Sequence, residues 1–204
     1  MPNQHFLPSI LQDQALYLGG GGSNPPYRVP RAYRAWLLDR GSLTRRLIQA
    51  SDGAFRVKLL RQGHQMATDH EREALQLQQR SWPFLREVAL LCHEQPWVFA
   101  RTVIPVETLQ GPARALTRLG SKPLGAVLFN HPHVRRGPIA VYRLNAARVS
   151  QDFAGQGSIW GRQSVFYLYG KPLLVSEYFL HGCPMYANGS EKPTLGEASL
   201  LEEL

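Results

Sequence analysis

Three charged side chains stand where the alternation of a β-strand calls for apolar ones. In segment 172–180 a period of two puts Leu173, Val175, Glu177 and Phe179 on one face, with Leu174, Ser176, Tyr178 and Leu180 on the other. Glu177 thus sits between two apolar neighbours on a face that reads as buried. In segment 85–92 Arg86 shares its face with Val88 and Leu90, and further on Arg101 shares one with Phe99 and Val103. A buried carboxylate must be paired, hydrogen-bonded or protonated, because burial disfavours its charged form. Two chemistries satisfy that demand. One is a structural ion pair of Glu177 with Arg86 or Arg101 that locks two hairpins together. The other is a closed pocket in which Arg86 clamps a ligand carboxylate through two parallel donors. Glu177 would then face a hydroxyl or a proton in transit, and a glutamic acid kept neutral there would donate.

Weaker patterns surround these. His131-Pro132-His133 has the spacing of a metal pair, but no acid or cysteine stands nearby to complete a site, so a loop is expected and no metal. Gly19 to Gly22 lacks both the following Lys-Ser/Thr and the preceding strand of a phosphate-binding loop. Ser164 and Ser176 carry no signature of an activated nucleophile. Residues 119–125 (Leu-Gly-Ser-Lys-Pro-Leu-Gly) form a glycine-flanked turn into a short helix, either a plain connection or a source of free backbone N–H groups for an anion or oxygen.

The elements that must position these residues follow from local pattern. Helical spacing covers 33–38, and Ser42 reads as the N-cap of a helix over 43–48. Residues 55–59 alternate as a strand, and 71–80 suit a polar helix. Strands are expected over 85–92 and 97–105, joined by the hairpin-length link 93–96, and over 161–169 and 172–180, joined across Gly170-Lys171. Helices are expected over 112–119 and 123–129, and a strand over 139–144. About six strands in short-linked pairs imply one antiparallel sheet, and helices cluster between them, so the expected class is α+β. The body spans 27–186, after a flexible Gly/Pro-rich lead-in over 1–26 and before a loose acidic tail over 187–204.

Composition bounds the function. The chain has 204 residues, enough for one domain, and 44% are apolar, enough for a core. Its longest apolar run is five residues (Val88-Ala89-Leu90-Leu91-Cys92), far short of a membrane-spanning helix. The first 22 residues lack the basic start of a secretory signal, and two cysteines suit a reducing compartment, so a cytoplasmic location is expected. Net charge is +8, with 19 arginines against four lysines. Residues 187–204 hold four acids and one lysine; the rest carries 22 bases and 11 acids, near +11. Such a balance suits an anionic partner, but no nucleic-acid-binding motif or aromatic platform accompanies it, so nucleic acid is not expected.

Several blocks fall together in one order. They are Arg86-Glu87-Val88, Pro96-Trp97, Ala100-Arg101-Thr102-Val103-Ile104-Pro105, Leu119-Gly120, Pro123-Leu124-Gly125, Leu128-Phe129, Trp160-Gly161-Arg162-Gln163-Ser164 and Gly170-Lys171-Pro172-Leu173-Leu174-Val175-Ser176-Glu177. Taken together they resemble the chorismate lyase (chorismate–pyruvate lyase) family over residues 36–186. The resemblance implies an enzyme that cleaves chorismate to 4-hydroxybenzoate and pyruvate without metal or organic cofactor, as the first step of ubiquinone synthesis. It implies an antiparallel sheet with helical flaps over a buried ligand. It implies that Arg86 holds the product carboxylate, that Glu177 meets the ring hydroxyl, and that Leu43 and Leu124 contact the ligand from the flaps through their backbone. Arg101 and Arg162 are further candidates for the pyruvyl side.

Two departures from the family stand out. The position of Leu43 is a methionine in the best-known members. The stretch 130–159 is longer here and carries Arg135, Arg136, Arg143 and Arg148. The expected enzyme is a monomer that takes up a small dianion. The competing expectation is a non-catalytic domain for small aromatic acids, since a related fold serves transcription regulators as their effector domain. About 30 residues before the body leave little room for the DNA-binding domain that such regulators carry.

Overall fold

The computed structural model describes residues 29–187. The expected lead-in over 1–26 lies outside the described residues, as does the expected tail beyond Ala187. Helix α1 (Arg31–Leu37) buries Tyr33, Trp36 and Leu37 along one side. Helix α2 (Leu43–Ala50) starts at Ser42, whose hydroxyl accepts the Arg45 N–H. Strand β1 (Phe55–His64) leads to α3 (Asp69–Leu75), which opens on a reciprocal cap between Thr68 and Glu71. The polar helix expected over 71–80 ends early because Gln76 takes the left-handed conformation, φ 52° and ψ 41°.

Strands β2 (Phe84–Cys92) and β3 (Gln95–Ile104) follow. His93 and Glu94 join them at φ of 50° and 62°, the primed turn whose twist matches paired strands, so Gln95 and Pro96 already belong to β3. The helix expected over 112–119 forms as a 3₁₀-helix (Gly111–Arg118) and leads to α4 (Leu124–Asn130). Next come β4 (Val134–Arg136), β5 (Ala140–Asn145), β6 (Ser158–Leu168) and β7 (Lys171–Phe179). Tyr169 and Gly170, at φ of 52° and 77°, turn β6 into β7 one residue earlier than the expected Gly170-Lys171.

The sheet has seven strands, one more than expected, in the order β1-β2-β3-β7-β6-β4, with β5 also paired to β6 and every pairing antiparallel. The added strand is β4, three residues long and too short to show a period. It shares the outer edge of β6 with β5: β4 lies along 166–168 and β5 along 158–163. One face carries α1, α2, the 3₁₀-helix and α4, with Trp36, Leu47, Leu116 and Leu128 in its core. The other carries α3 and the segment 146–153, with Leu75, Val103, Phe153 and Leu180. No helix among the described residues is long and apolar enough to cross a membrane.

Register separates the charged residues. Arg86 stands opposite Thr102, Thr102 opposite Val175, Ala100 opposite Glu177, and Glu177 opposite Arg162, all on the face that carries α2 and α4. Arg101 stands opposite Glu87 and Ser176, on the other face. The expected pairing of Glu177 with Arg86 or Arg101 is therefore replaced. Arg101 instead binds Glu71 at 2.6 and 3.0 Å and also binds Glu87, while Arg61 reaches Glu87 at 3.0 Å. Burial pulls the Arg101 guanidinium down, but the Glu71 and Glu87 carboxylates outweigh it and hold it well above its ordinary value. Arg101→Met would leave the buried Glu71 carboxylate without a cation and Glu87 with Arg61 alone, and is expected to cost about 3–5 kcal/mol in urea unfolding. A loss under about 1 kcal/mol would show that the network contributes little there.

Candidate active site

Among the described residues Arg86 is a buried cation without an anion. It is 2% exposed on β2, and its Nη2 donates to the carbonyls of Gly120 and Lys122 at 2.8 Å each. Its Nε is buried and has no hydrogen-bond partner among the described residues, and no carboxylate there pairs with it. Burial alone holds this guanidinium below its ordinary value. A site of that kind favours a ligand that supplies the missing negative charge.

The cavity in front of Arg86 has a floor and a lid. Arg86, Val88, Ala100, Thr102, Val175 and Glu177 rise from the sheet; Leu43 and Thr44 come from α2, and Leu124, Gly125 and Phe129 from α4. Each lid helix points its first turn at the cavity, where backbone N–H groups have no partner within the helix. Helix α4 begins after Pro123 with no side-chain cap. The two lids meet at Gly125: a Cβ there would lie 2.9 Å from Thr44 Oγ1 and 3.4 Å from Ser42 Oγ. The cavity volume is about 50 Å³. Ligand pockets usually span about 300–1,000 Å³, so the lids sit close over the floor in this arrangement.

Glu177 completes the floor. Its Oε2 accepts from Arg162 Nε at 2.5 Å, and Arg136 Nη2 stands 4.0 Å from the same oxygen. Arg162 is 1% exposed and also donates through Nη1 to the carbonyls of Trp36 at 2.7 Å and Asp39 at 2.9 Å. Glu177 thus accepts from a guanidinium through Oε2 while lining the cavity.

Of the six residues singled out from sequence, the structure brings Leu43, Arg86, Leu124 and Glu177 around this cavity. Arg162 lies behind Glu177 rather than on the cavity wall, and Arg101 lies on the opposite face of the sheet. Thr44 lines the cavity without a sequence signal of its own, and Thr102 and Phe129 line it with no signal beyond their place in the family blocks. Arg136 escaped notice as a neighbour of Glu177 because three-residue β4 shows no alternation. Arg162 did carry a signal, since it shares a period-two face with Trp160 and Phe166. His131 and His133 sit past the end of α4, where His131 Nε2 meets the Tyr169 hydroxyl at 2.6 Å.

A sequence model of the family described as chorismate lyase matches residues 26–190. The chain belongs to the chorismate lyase family. It is 43% identical over 145 residues to a "Probable chorismate pyruvate-lyase" of Pseudomonas aeruginosa, covering 71% of this chain and 81% of that protein. It is 37% identical over 188 residues to the "Chorismate pyruvate-lyase" of Sodalis glossinidius, covering 90% and 99%. Among solved structures, the effector domain of PhnF from Mycobacterium smegmatis superposes with a TM-score of 0.50 at 11% identity, over 65% of this chain and 88% of that one. At that identity the likeness is one of fold alone.

Proposed function

We propose that this protein is a chorismate lyase that converts chorismate to 4-hydroxybenzoate and pyruvate, the first step of ubiquinone-type quinone synthesis. The observation that carries the reading is Arg86, a desolvated guanidinium with an orphaned Nε, which lines the same closed cavity as Glu177. Chorismate is a dianion, with a ring carboxylate and an enolpyruvyl carboxylate. Arg86 clamps the ring carboxylate, and the first-turn N–H groups at Leu43 and Leu124 close on the ligand from above.

Glu177 holds the C4 hydroxyl and so places C4 beside its carboxylate. The C3–O bond breaks with its electron pair leaving on the enolpyruvate oxygen. Positive charge then develops in the ring, where the Glu177 carboxylate stabilises it. Loss of the C4 proton to Glu177 aromatises the ring, and that proton finally converts enolpyruvate to pyruvate. The reaction is downhill, so the protein supplies mainly orientation, charge and exclusion of water. No metal or organic cofactor enters these steps. The buried free thiols Cys92 and Cys183 suit a cytoplasmic enzyme, and the reading includes a monomer that does not bind nucleic acid.

Incubation of purified protein with chorismate, assayed for both products without added metal, tests the reading. Equal amounts of 4-hydroxybenzoate and pyruvate are expected. No product at high enzyme concentration would overturn it, and thermal stabilisation by 4-hydroxybenzoate without turnover would favour a non-catalytic binding domain. The lid contact makes a separate forecast. Gly125→Ala should push Thr44 away and keep the lids from meeting, weakening 4-hydroxybenzoate binding by about 1–3 kcal/mol in calorimetry. Unchanged affinity would mean that Thr44 rotates aside without loss.

A further inference from the structure

Arg136 is not on the cavity wall, yet it touches the groups that set Glu177. It lies on β4 opposite Phe166, in the longer stretch that departs from the family pattern, and its side chain is 9% exposed. Its Nε donates to Ser164 Oγ at 3.1 Å, and its Nη1 donates to the Asp39 carbonyl at 3.3 Å. Its Nη2 is the group 4.0 Å from Glu177, and its guanidinium lies over the ring of Phe166, a cavity residue, 5.1 Å from the centroid.

The Asp39 carbonyl also accepts from Arg162. Both arginines beside Glu177 therefore hold one and the same backbone oxygen. That oxygen belongs to the turn between α1 and α2, three residues before Ser42 caps the first lid helix. The turn is tied from its own side as well. The Asp39 carboxylate accepts from the Gly41 N–H at 2.8 Å and from Arg46 Nη1 at 3.2 Å, and Arg40 Nη2 donates to the Arg136 carbonyl at 3.3 Å.

Two buried guanidiniums beside one carboxylate leave a surplus positive charge. Burial chiefly, with Arg162 and Arg40 adding to it against the pull of Glu177, pushes Arg136 down to about 10. A device that only balanced Glu177 would need Arg162 alone. The second arginine adds a link from the carboxylate to the lid.

We propose that Arg136 is a positioning residue that couples Glu177 to the first lid, by holding the carboxylate beside Arg162 and the α1–α2 turn through the Asp39 carbonyl. The proposal rests on the reading of Glu177 as the group that faces the substrate. Without Arg136 the Asp39 carbonyl loses one of its two arginine donors, and the carboxylate gains freedom to swing.

The test uses the full chain and three variants: Arg136→Met, Arg136→Lys and Glu71→Gln, the last loosening the opposite face as a control for lost stability. Release of 4-hydroxybenzoate is followed by stopped-flow displacement, and kcat and KM are measured with chorismate. Arg136→Met is expected to speed product release and lower kcat, each by roughly tenfold, the usual size of coupling between two sites. A lysine keeps the charge near Glu177 but cannot fork to Ser164 and Asp39 together. Arg136→Lys should therefore restore kcat and leave release fast, a split that general destabilisation does not produce. Wild-type release and turnover in Arg136→Met, or the same changes in Glu71→Gln, would overturn the coupling. If Arg136→Met fails to fold, the split in Arg136→Lys decides. Wild-type protein that binds 4-hydroxybenzoate but makes none from chorismate would overturn the functional reading instead, and the release rates would still judge the coupling.

Discussion

Arg86→Met is expected to remove the binding of 4-hydroxybenzoate while leaving the empty protein close to its original stability. On the proposed function the two effects part because the guanidinium is held for a ligand and not for the fold. In the empty protein it carries a desolvated charge with an unpartnered Nε and only two carbonyl bonds in return. Methionine loses those bonds to Gly120 and Lys122 but also removes the buried charge, and such exchanges are often neutral, here within about 2 kcal/mol. Against a ligand carboxylate the balance differs, since truncating one side of a buried charge pair costs about 2–5 kcal/mol. Calorimetry should read that loss as affinity, and the rise in Tm that product gives the wild-type protein should vanish. Unchanged product affinity would remove Arg86 from the site. A collapse of the empty protein would recast it as a structural residue.

Glu177→Gln is expected to lower kcat by about 10²–10⁴-fold, with a smaller change in KM. Glutamine keeps the shape and one acceptor for Arg162, so the side chain can still meet a hydroxyl. On the proposed mechanism it loses the negative charge that would stabilise the developing ring cation and the basicity that would remove the C4 proton. The same exchange leaves Arg162 and Arg136 facing no carboxylate, and a stability loss of up to about 3 kcal/mol is expected in denaturant unfolding. Steady-state kinetics on chorismate decides the role. A rise in KM with kcat intact would make Glu177 a binding group only, because uniform binding does not accelerate the chemical step.

The four residues around the cavity were legible for different reasons. Glu177 and Arg86 broke the alternation of strands whose other inward residues are apolar, a local signal that survives without knowledge of the partner strand. Leu43 and Leu124 have no chemical signature, and only the family resemblance pointed to them. Ser42 marked the start of the first lid through its capping chemistry, and the Pro123 region marked the second. Hairpins were legible because their turns are short. Their turn residues lay one or two positions from expectation because His93, Glu94 and Tyr169 adopt positive φ without being glycine.

Local period and chemistry, read from the sequence, determined that this is an α+β chain with an antiparallel sheet and inward-facing charges, and the ordered blocks determined its family. Which charges meet was decided by tertiary structure. Alternation says which residues of one strand share a face, but nothing in it relates that face to the next strand. The pairing register does so, and one residue of slip reverses the outcome. Glu87, not Arg86, stands opposite Arg101, so the two arginines lie on opposite faces, one at the cavity and one in a network with Glu71. Arg162 became the partner of Glu177 because β6 lies beside β7 in the register that sets them opposite. Arg136 reaches the same carboxylate from a three-residue strand that only the folded edge of β6 could place.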